Sequence, residues 1–153
     1  MLKIKRIDHV AIVVPSIDAA LAQYRAVFGL AVKERELVAS QQTEAALLPI
    51  GDGNFELIEP KGNKGLQKFL QRRGPGLHHV AVEVEGIESA LALLKSLGVP
   101  LFDETPRAGA RGHKVAFVHP RATGGVLIEL VEPAQPAPQP DAPRGDEEPR
   151  GSS

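Results

Sequence analysis

The sequence predicts an α+β fold built from two tandem modules of order βαβββ that enclose one cavity. The first observation is an internal repeat, because IDHVAIVV at residues 7–14 returns as LHHVAVEV at residues 77–84. A second echo closes each half, ELIEP at residues 56–60 and ELVEP at residues 129–133. Each half also sets one helical segment among several short runs rich in β-branched residues. A repeat of this kind indicates duplication of one supersecondary unit.

Composition restricts the function to a small set of classes. At 153 residues with 42% hydrophobic content, one compact domain is expected. The net charge of −1 gives no basic footprint for nucleic acid. Cysteine is absent, which leaves histidine and carboxylate side chains as the strong metal ligands. No run approaches the ~18 apolar residues of a membrane span, so we expect a soluble, cytoplasmic protein with neither a membrane nor a nucleic-acid partner.

The first module begins with a strand predicted at residues 4–14. Side chains alternate along a strand, so His9 lies on one face while Ile12 lies on the other. A helix whose apolar stripe covers the Ile12 face would bury both surfaces. The His9 face would then remain free to line a cavity.

That helix is predicted at residues 17–28, since Ser16 is a suitable N-cap and Gly29 is a suitable C-terminal stop. Three further strands complete the module, at residues 30–38, 43–50 and 55–59. The turn signal Gly-Asp-Gly-Asn joins the last two strands into a hairpin. A short connecting helix is predicted within residues 61–73.

The second module repeats this order. It is predicted to contain a strand at 77–84, a helix at 87–97, and strands at 99–104, 114–119 and 125–132, with a loop at 107–113. The module boundaries fall at residues 1–73, including the connecting helix, and at residues 74–133. From residue 134 the chain is rich in proline and charge and lacks large apolar side chains. Residues 134–153 are therefore predicted to form a disordered tail.

Each module offers one histidine early and one glutamate late, on the face away from its helix. These residues are His9 and Glu56 in the first module, and His79 and Glu129 in the second. Two imidazoles and two carboxylates that converge form an N2O2 site for a divalent first-row metal. A strand histidine is more often structural, but recurrence in both modules and the cost of burying unpaired charge favour a metal.

The other three histidines are given different roles. His78 is expected to point to the face opposite His79 and to be structural, with Asp8 as its counterpart in the first module. His119 precedes a proline at a strand end and is expected to support a loop. His113 has no predicted partner.

The two halves, together with GARGHKVAFVHP and GGVLIEL, resemble the methylmalonyl-CoA epimerase family of the vicinal oxygen chelate superfamily, which also contains glyoxalase I. The resemblance covers residues 5–133. It implies an isomerase with the vicinal oxygen chelate fold that acts on an acyl-CoA substrate and assembles as a homodimer. It also implies that the ligands of a divalent ion (Co, Mn, Ni or Zn) are His9, Glu56, His79 and Glu129.

By the same resemblance, the enzyme would move the C2 proton of methylmalonyl-CoA through a metal-stabilised enolate, with Glu44 and Glu129 as acid–base groups. Strand alternation can direct Glu44 into the cavity, and aligning the two modules on their prolines places Val115 opposite it. Arg107, Arg111 and Lys114 are candidate phosphate or carboxylate contacts. Two alternatives remain, a glyoxalase I-type lactoylglutathione lyase and a metal-free small-molecule-binding member of the same fold.

Overall fold

A computed structural model describes residues 2–135 of the chain. In chain order the elements are β1 (Ile4–Val13), α1 (Ile17–Phe28), β2 (Glu34–Val38), β3 (Thr43–Ile50), β4 (Gly53–Pro60), α2 (Lys64–Arg73), β5 (Gly76–Val84), α3 (Ile87–Ser96), β6 (Arg107–Ala108), β7 (Lys114–Val118) and β8 (Ile128–Glu132). All but the first two positions of the predicted tail lie outside the described residues. Within residues 2–135, no helix combines the length and hydropathy needed to span a membrane.

The eight strands form one mixed sheet in the order β2-β3-β4-β1-β5-β8-β7-β6. β1 and β5 pair antiparallel at its centre, and each is flanked by a parallel strand from the end of its own module. The two edges of the sheet meet, because the Arg111 N–H donates to the Glu36 carboxylate at 2.7 Å and the Ser40 hydroxyl donates to the Ala108 carbonyl at 3.3 Å. The sheet is therefore curled into a half-barrel, as the predicted cavity requires.

Helices α1 and α3 pack on the convex face of the sheet, one in each module. Ile17 of α1 is fully buried against Leu48 and Leu57. Ile87 of α3 occupies the matching position in a cluster with Leu130. The predicted packing of the first helix on the Ile12 face is confirmed, since Ile12 belongs to the α1 cluster.

The repeated glutamates at the ends of β4 and β8 anchor these helices. The Ile17 N–H, in the first turn of α1, donates to Glu59 Oε1 at 2.9 Å. In the second module the Gly86 N–H, just before α3, donates to Glu132 Oε1 at 3.2 Å. The first N–H groups of a helix have no partner within the helix, so each carboxylate satisfies one of them. The second glutamate of each ELxEP echo is thus structural.

The connecting helix α2 lies on the concave side. Its residues Leu66, Phe69 and Leu70 pack against Ala11, Val13 and Ile58. The expectation of a wholly uncovered concave face is therefore wrong for this part of the first module. The apolar stripe of α2 needs burial, and the small and branched residues of β1 and β4 provide it.

The strand predicted at residues 99–104 is wrong. Only Leu101 forms an isolated bridge, to Val118, and the two-residue β6 instead lies in the predicted loop. The reason is visible at Phe117, whose N–H donates to the Asp103 carboxylate at 2.8 Å. Since the Asp103 side chain takes up the Phe117 N–H, that N–H cannot donate to a backbone carbonyl, and the strand pairing does not continue past this point. Pro100 also lacks the N–H that a strand would need.

Candidate metal centre

Two rows of directly paired residues cross the middle of the sheet. One row consists of Glu56, Ala11 and His79, and the other of His9, Ala81 and Glu129. Residues paired across strands share a face, so the four polar side chains project to the same concave side. Each row combines residues of both modules. Alanine stands at the centre of each row, which leaves room for the longer side chains on either side.

The four predicted ligands converge. His9 Nε2 lies 3.3 Å from His79 Nε2, and His79 Nε2 lies 3.2 Å from Glu129 Oε2. His9 Nε2 is also 3.8 Å from one oxygen each of Glu56 and Glu129. Two nitrogens bound to one ion at about 2.0–2.1 Å can be at most about 4.2 Å apart. The spacing of the two histidines meets this limit, and all four side chains are buried.

A β-bulge precedes each histidine. In the antiparallel register of β1 with β5, Asp8 of β1 and His78 of β5 are the extra residues without a partner of their own. A bulge interrupts the alternation of side chains and redirects the bulged residue. Asp8 Oδ2 accordingly lies 2.7 Å from His9 Nδ1, and His78 Nδ1 lies 2.8 Å from His79 Nδ1. The prediction that His78 points to the opposite face is wrong, because alternation does not hold across the bulge.

These contacts determine how the two histidines are presented. Because Nδ1 of each ring is engaged by its neighbour, the Nε2 atoms are left facing one another. The Asp8 carboxylate can only accept, so His9 Nδ1 carries a proton and Nε2 is the nitrogen left to face a metal ion. Such outer contacts fix ring orientation at metal sites and raise the basicity of the ligand.

The charges in the cluster favour a cation at its centre. Burial raises the pKa of Glu56, attraction to His9 opposes that shift, and the charge of Glu129 adds to it. For His9, burial lowers the pKa, but the hydrogen bond to Asp8 and the nearby carboxylates outweigh it, so the pKa is raised. Burial and the neighbouring His79 lower the pKa of His78 to about 4, so His78 is neutral near pH 7.

Two imidazole nitrogens and two buried carboxylates fit a divalent first-row ion. A buried pair of carboxylates is costly unless positive charge compensates it, and a divalent cation would supply that charge. His9, His79 and Glu129 offer ligand atoms that all lie within 4.8 Å of one another. Glu56, next to His9, is placed to complete the set as the fourth donor.

The cluster opens into a cavity of about 370 Å³. Arg107, Arg111 and Lys64 bring positive charge to its walls, and His113 lies beside them. The Arg111 guanidinium is largely shielded from solvent and lies 3.6 Å from Asp8 and 3.9 Å from Glu56, beyond hydrogen-bonding distance. Its N–H groups can therefore reach an anionic oxygen in the cavity.

Sequence reasoning missed two parts of the cavity wall. One is the segment before β3, which contributes Ser40, Gln41 and Gln42. The other is the start of α2, with Asn63 and Lys64. The only sequence signal for the start of α2 was Asn63, which is a suitable helix N-cap. In the structure the Asn63 side chain accepts the Leu66 N–H at 3.0 Å.

The predicted orientation of Glu44 is wrong. In the β3–β4 hairpin Glu44 pairs with Glu59, so it shares the convex face on which α1 packs. Its carboxylate binds Arg35 at 2.7 Å and lies 3.7 Å from Lys61. Glu44 does not line the cavity, and the acid–base role predicted for it depended on that position.

The strand register also corrects the alignment of the two modules. Leu47 pairs with Glu56 while Phe117 pairs with Glu129, so the counterpart of Glu44 is Lys114 and not Val115. Val115 lines the cavity.

Two further assignments can be compared with the structure. Lys114 binds Glu88 of α3 at 2.7 Å and is not among the residues that line the cavity. His119 accepts the Arg121 N–H at 3.0 Å and caps a short helical turn, as its predicted loop role requires.

Comparison with known proteins agrees with this geometry. The chain is 42% identical over 129 residues to the Bacillus subtilis (strain 168) uncharacterised protein YqjC, covering 84% of this chain and 92% of that protein. It is 35% identical over 129 residues to the mitochondrial methylmalonyl-CoA epimerase of Homo sapiens, and the match covers 83% of this chain and 73% of that protein. A structure of methylmalonyl-CoA epimerase in complex with methylmalonyl-CoA and NH4+ matches with a TM-score of 0.83 and 32% identity. The match covers 86% of this chain and 96% of that one.

The family model for the Glyoxalase/Bleomycin resistance protein/Dioxygenase superfamily matches residues 8–117. This span includes His9 and His79 and extends across both modules. The predicted vicinal oxygen chelate fold is confirmed by the strand order and by the matched structure. The chain therefore belongs to the glyoxalase/bleomycin resistance protein/dioxygenase superfamily.

Proposed function

We propose that the protein is a metal-dependent epimerase that interconverts (2R)- and (2S)-methylmalonyl-CoA. The observation that carries this proposal is the convergence of His9, His79, Glu129 and Glu56 at the base of a cavity with cationic walls. Relatives named methylmalonyl-CoA epimerase, at about one-third identity over most of this chain, support the choice of substrate. The substrate carries a thioester and a carboxylate, and both present oxygen atoms.

His9, His79, Glu129 and Glu56 are proposed to hold the ion, with Co, Mn, Ni or Zn as candidates. When bound, a divalent ion would supply Lewis-acid stabilisation of the negative charge that develops as C2 loses its proton. Asp8 and His78 hold the two imidazoles in the orientation that this arrangement needs.

Epimerisation requires a proton to leave C2 on one side and to return on the other. Among residues 2–135, the carboxylates that line the cavity are Glu56 and Glu129. They flank the histidine pair, each with one oxygen 3.8 Å from His9 Nε2. We therefore assign the two proton transfers to Glu56 and Glu129. General acid–base groups of this kind contribute roughly 10²–10⁴-fold to a rate.

Arg111 is proposed to bind the free carboxylate of the substrate. Its guanidinium faces the cavity beside Glu56, and its N–H groups are not committed to the nearby carboxylates at hydrogen-bond distance. An arginine fork matches a carboxylate with two parallel hydrogen bonds. Its main chain is held by the Glu36 carboxylate from the opposite edge of the sheet, so the side chain projects from an anchored position.

The test is an assay of metal-loaded protein with (2S)-methylmalonyl-CoA in D2O. We expect conversion to the (2R) epimer, with deuterium at C2 of the product. Chelation should abolish the activity, and adding back a divalent ion should restore it. Full activity of protein shown by elemental analysis to be free of metal would contradict the proposal. Turnover of the glutathione hemithioacetal of methylglyoxal, with none of methylmalonyl-CoA, would favour a glyoxalase I-type enzyme instead.

Single-carboxylate variants test the two-group assignment. Glu56→Gln and Glu129→Gln should each stop epimerisation, since one of the two proton transfers is lost. In a variant that elemental analysis shows to have kept its metal, the remaining carboxylate should still exchange the C2 proton of one epimer with deuterium without inverting it. Epimerisation at the wild-type rate by Glu56→Gln would remove that residue from the proposed pair. We also propose a cytoplasmic homodimer, which light scattering on the purified chain and fractionation of the source cells would check.

A further inference from the structure

Helix α2 departs in its first turn from a charge distribution that the other two helices show at both ends. α1 has Asp18 in its first turn and Arg25 in its last, and α3 has Glu88 and Lys95 in the same places. This distribution suits the helix macrodipole, which favours anions at the N-terminus and cations at the C-terminus. α2 has no acidic residue in its first turn and begins instead with Lys64.

Four cations lie on this ten-residue helix, whose sequence KGLQKFLQRR contains no acidic residue. They are Lys64, Lys68, Arg72 and Arg73. The first three are spaced four residues apart, so they stack on one side of the helix, where like charges repel. All four are exposed, and none forms an ion pair within residues 2–135. In the free protein the macrodipole therefore favours Arg72 and Arg73 but disfavours Lys64, and the four-residue spacing places Lys64, Lys68 and Arg72 close enough to repel one another.

The same helix forms one wall of a groove of about 340 Å³. The groove is lined by Lys68, Phe69, Arg72 and Arg73 on the helix and by Pro120 and Leu127 on the other side. His78 and Gly65 line both this groove and the cavity above the metal centre, so the two spaces adjoin. The Arg73 guanidinium lies over the Phe69 ring at 5.5 Å, which orders one cation at the groove wall.

We infer that this groove binds the phosphates of the substrate's CoA moiety, an inference that takes its ligand from the proposed function. CoA joins its thioester end, which must enter the cavity, to a diphosphate and a 3′-phosphate at its other end. At a rise of 1.5 Å per residue, Lys64 and Arg72 lie about 12 Å apart along the helix axis. The cations therefore form a line that leads away from the cavity. Arginine and lysine are the side chains that bind phosphate oxygens most strongly.

The test uses a probe without the reacting group, 3′-phosphoadenosine 5′-diphosphate, which is the nucleotide end of CoA. Binding to the whole chain is measured by calorimetry at low and high salt. The variant Lys68→Gln/Arg72→Gln/Arg73→Gln should bind the probe at least about tenfold more weakly, since hydrogen bonds to charged groups exceed neutral ones. The salt dependence of binding should also become shallower.

A matched control variant changes the net charge by the same amount as the α2 variant. Lys5→Gln/Arg25→Gln/Lys33→Gln removes three exposed cations that lie outside α2, and this variant should bind the probe as the wild type does. Equal weakening in both triple variants would overturn the inference, because it would indicate attraction to net charge alone. So would wild-type binding no tighter than that of inorganic phosphate. Circular dichroism at 222 nm and the melting temperature confirm that α2 and the fold persist in the variant.

An activity measurement separates this inference from the proposed function. With methylmalonyl-CoA, the α2 variant should show a raised KM and an unchanged kcat. With methylmalonyl-pantetheine, which lacks the nucleotide phosphates, variant and wild type should be equal. If the protein turns over neither substrate, the proposed function fails, while the calorimetry still decides whether the groove binds the nucleotide.

Discussion

The two modules match at the residues that converge on the candidate metal centre and differ in several charged residues of the convex face. On the concave side His9 and His79 occupy matching places, each after a bulged residue. On the convex side, Glu44 of the first module stands where the second has Lys114. The repeat therefore keeps the residues that converge on the candidate metal centre and the glutamates that anchor the helices, while other charged positions of the convex face differ.

The convex ion pairs show how such a change is tolerated. In the first module Arg35 bridges Asp18 of α1 and Glu44 of β3. In the second, Lys114 binds Glu88 of α3 and lies 4.0 Å from Glu132 of β8. Both arrangements attach a helix to its sheet through a cation, but the cation comes from a different strand. A charge on this face can thus be reversed as long as its partners change with it.

The largest expected effect comes from removing one histidine of either module. His9→Ala and His79→Ala should each weaken metal retention by more than about 100-fold, because even outer-shell changes cost 10–100-fold. Elemental analysis after dialysis against a weak chelator measures this. If one variant keeps a full complement of metal while the other loses it, the two modules do not contribute equally to the centre.

The bulge residues should give the next largest effect and should separate the modules. Asp8→Asn removes the charged partner of His9, and we expect metal affinity to fall by about 10–100-fold. His78→Gln replaces a neutral partner of His79 by another neutral group, and its effect should be smaller. Competition with a chromophoric chelator gives both affinities. A larger loss in His78→Gln would reverse this ranking of the two contacts.

A smaller effect is expected at the glutamates that anchor the helices. For Glu59, burial raises the pKa, but Lys61 and the Ile17 N–H outweigh it and lower the pKa below its ordinary value. A folded-state pKa below the unfolded one gives stability that is present above pH 4.5 and is lost as the pH falls through the folded pKa. Glu59→Gln should therefore destabilise the protein by about 0.5–1.5 kcal/mol near pH 7 and by less near pH 3.

Urea unfolding of metal-free protein at the two pH values measures this difference. Glu132→Gln is the matched variant in the second module, where the contact to the Gly86 N–H is longer. We expect a smaller loss there at pH 7. A destabilisation by Glu59→Gln that stays constant down to pH 3 would show that the ionised carboxylate is not the source of the stability.

The smallest effect is expected from Glu44→Gln. Its carboxylate belongs to the partly exposed convex ion pairs, and such pairs contribute about 0–1 kcal/mol. Turnover with methylmalonyl-CoA should stay near the wild-type rate, and metal content should not change. A rate loss of roughly 10²–10⁴-fold would instead restore Glu44 as an acid–base group and would require β3 to present its other face during the reaction.

The sequence predicted that His9, Glu56, His79 and Glu129 converge, because the repeat identified which His and which Glu belong together. Alternation along β1 and β5 then placed the two histidines away from the helices. His78 was beyond this reasoning, since a bulge depends on the register between two strands 70 residues apart. Its side chain direction cannot be obtained from the alternation of one strand alone.

Glu44 could have been oriented correctly from the sequence. The β3–β4 hairpin closes with Ile50 opposite Gly53, so the numbers of any two paired residues sum to the same value. Counting back from that turn sets Leu47 opposite Glu56, and Glu44 then lies on the other face. Matching prolines between modules gave a register that was one residue off. Turn geometry fixes register more directly than similarity between repeats.

Because each row of candidate ligands is split between the modules, an ion bound at this centre would crosslink the two modules across the β1–β5 seam. The seam joins segments about 70 residues apart in sequence, so the centre is complete only once the two halves have come together. Metal binding is therefore thermodynamically linked to that association and not to the folding of either half. Substitutions along the seam far from the histidines should then lower the metal affinity. Removal of the metal should accelerate amide exchange first in β1 and β5.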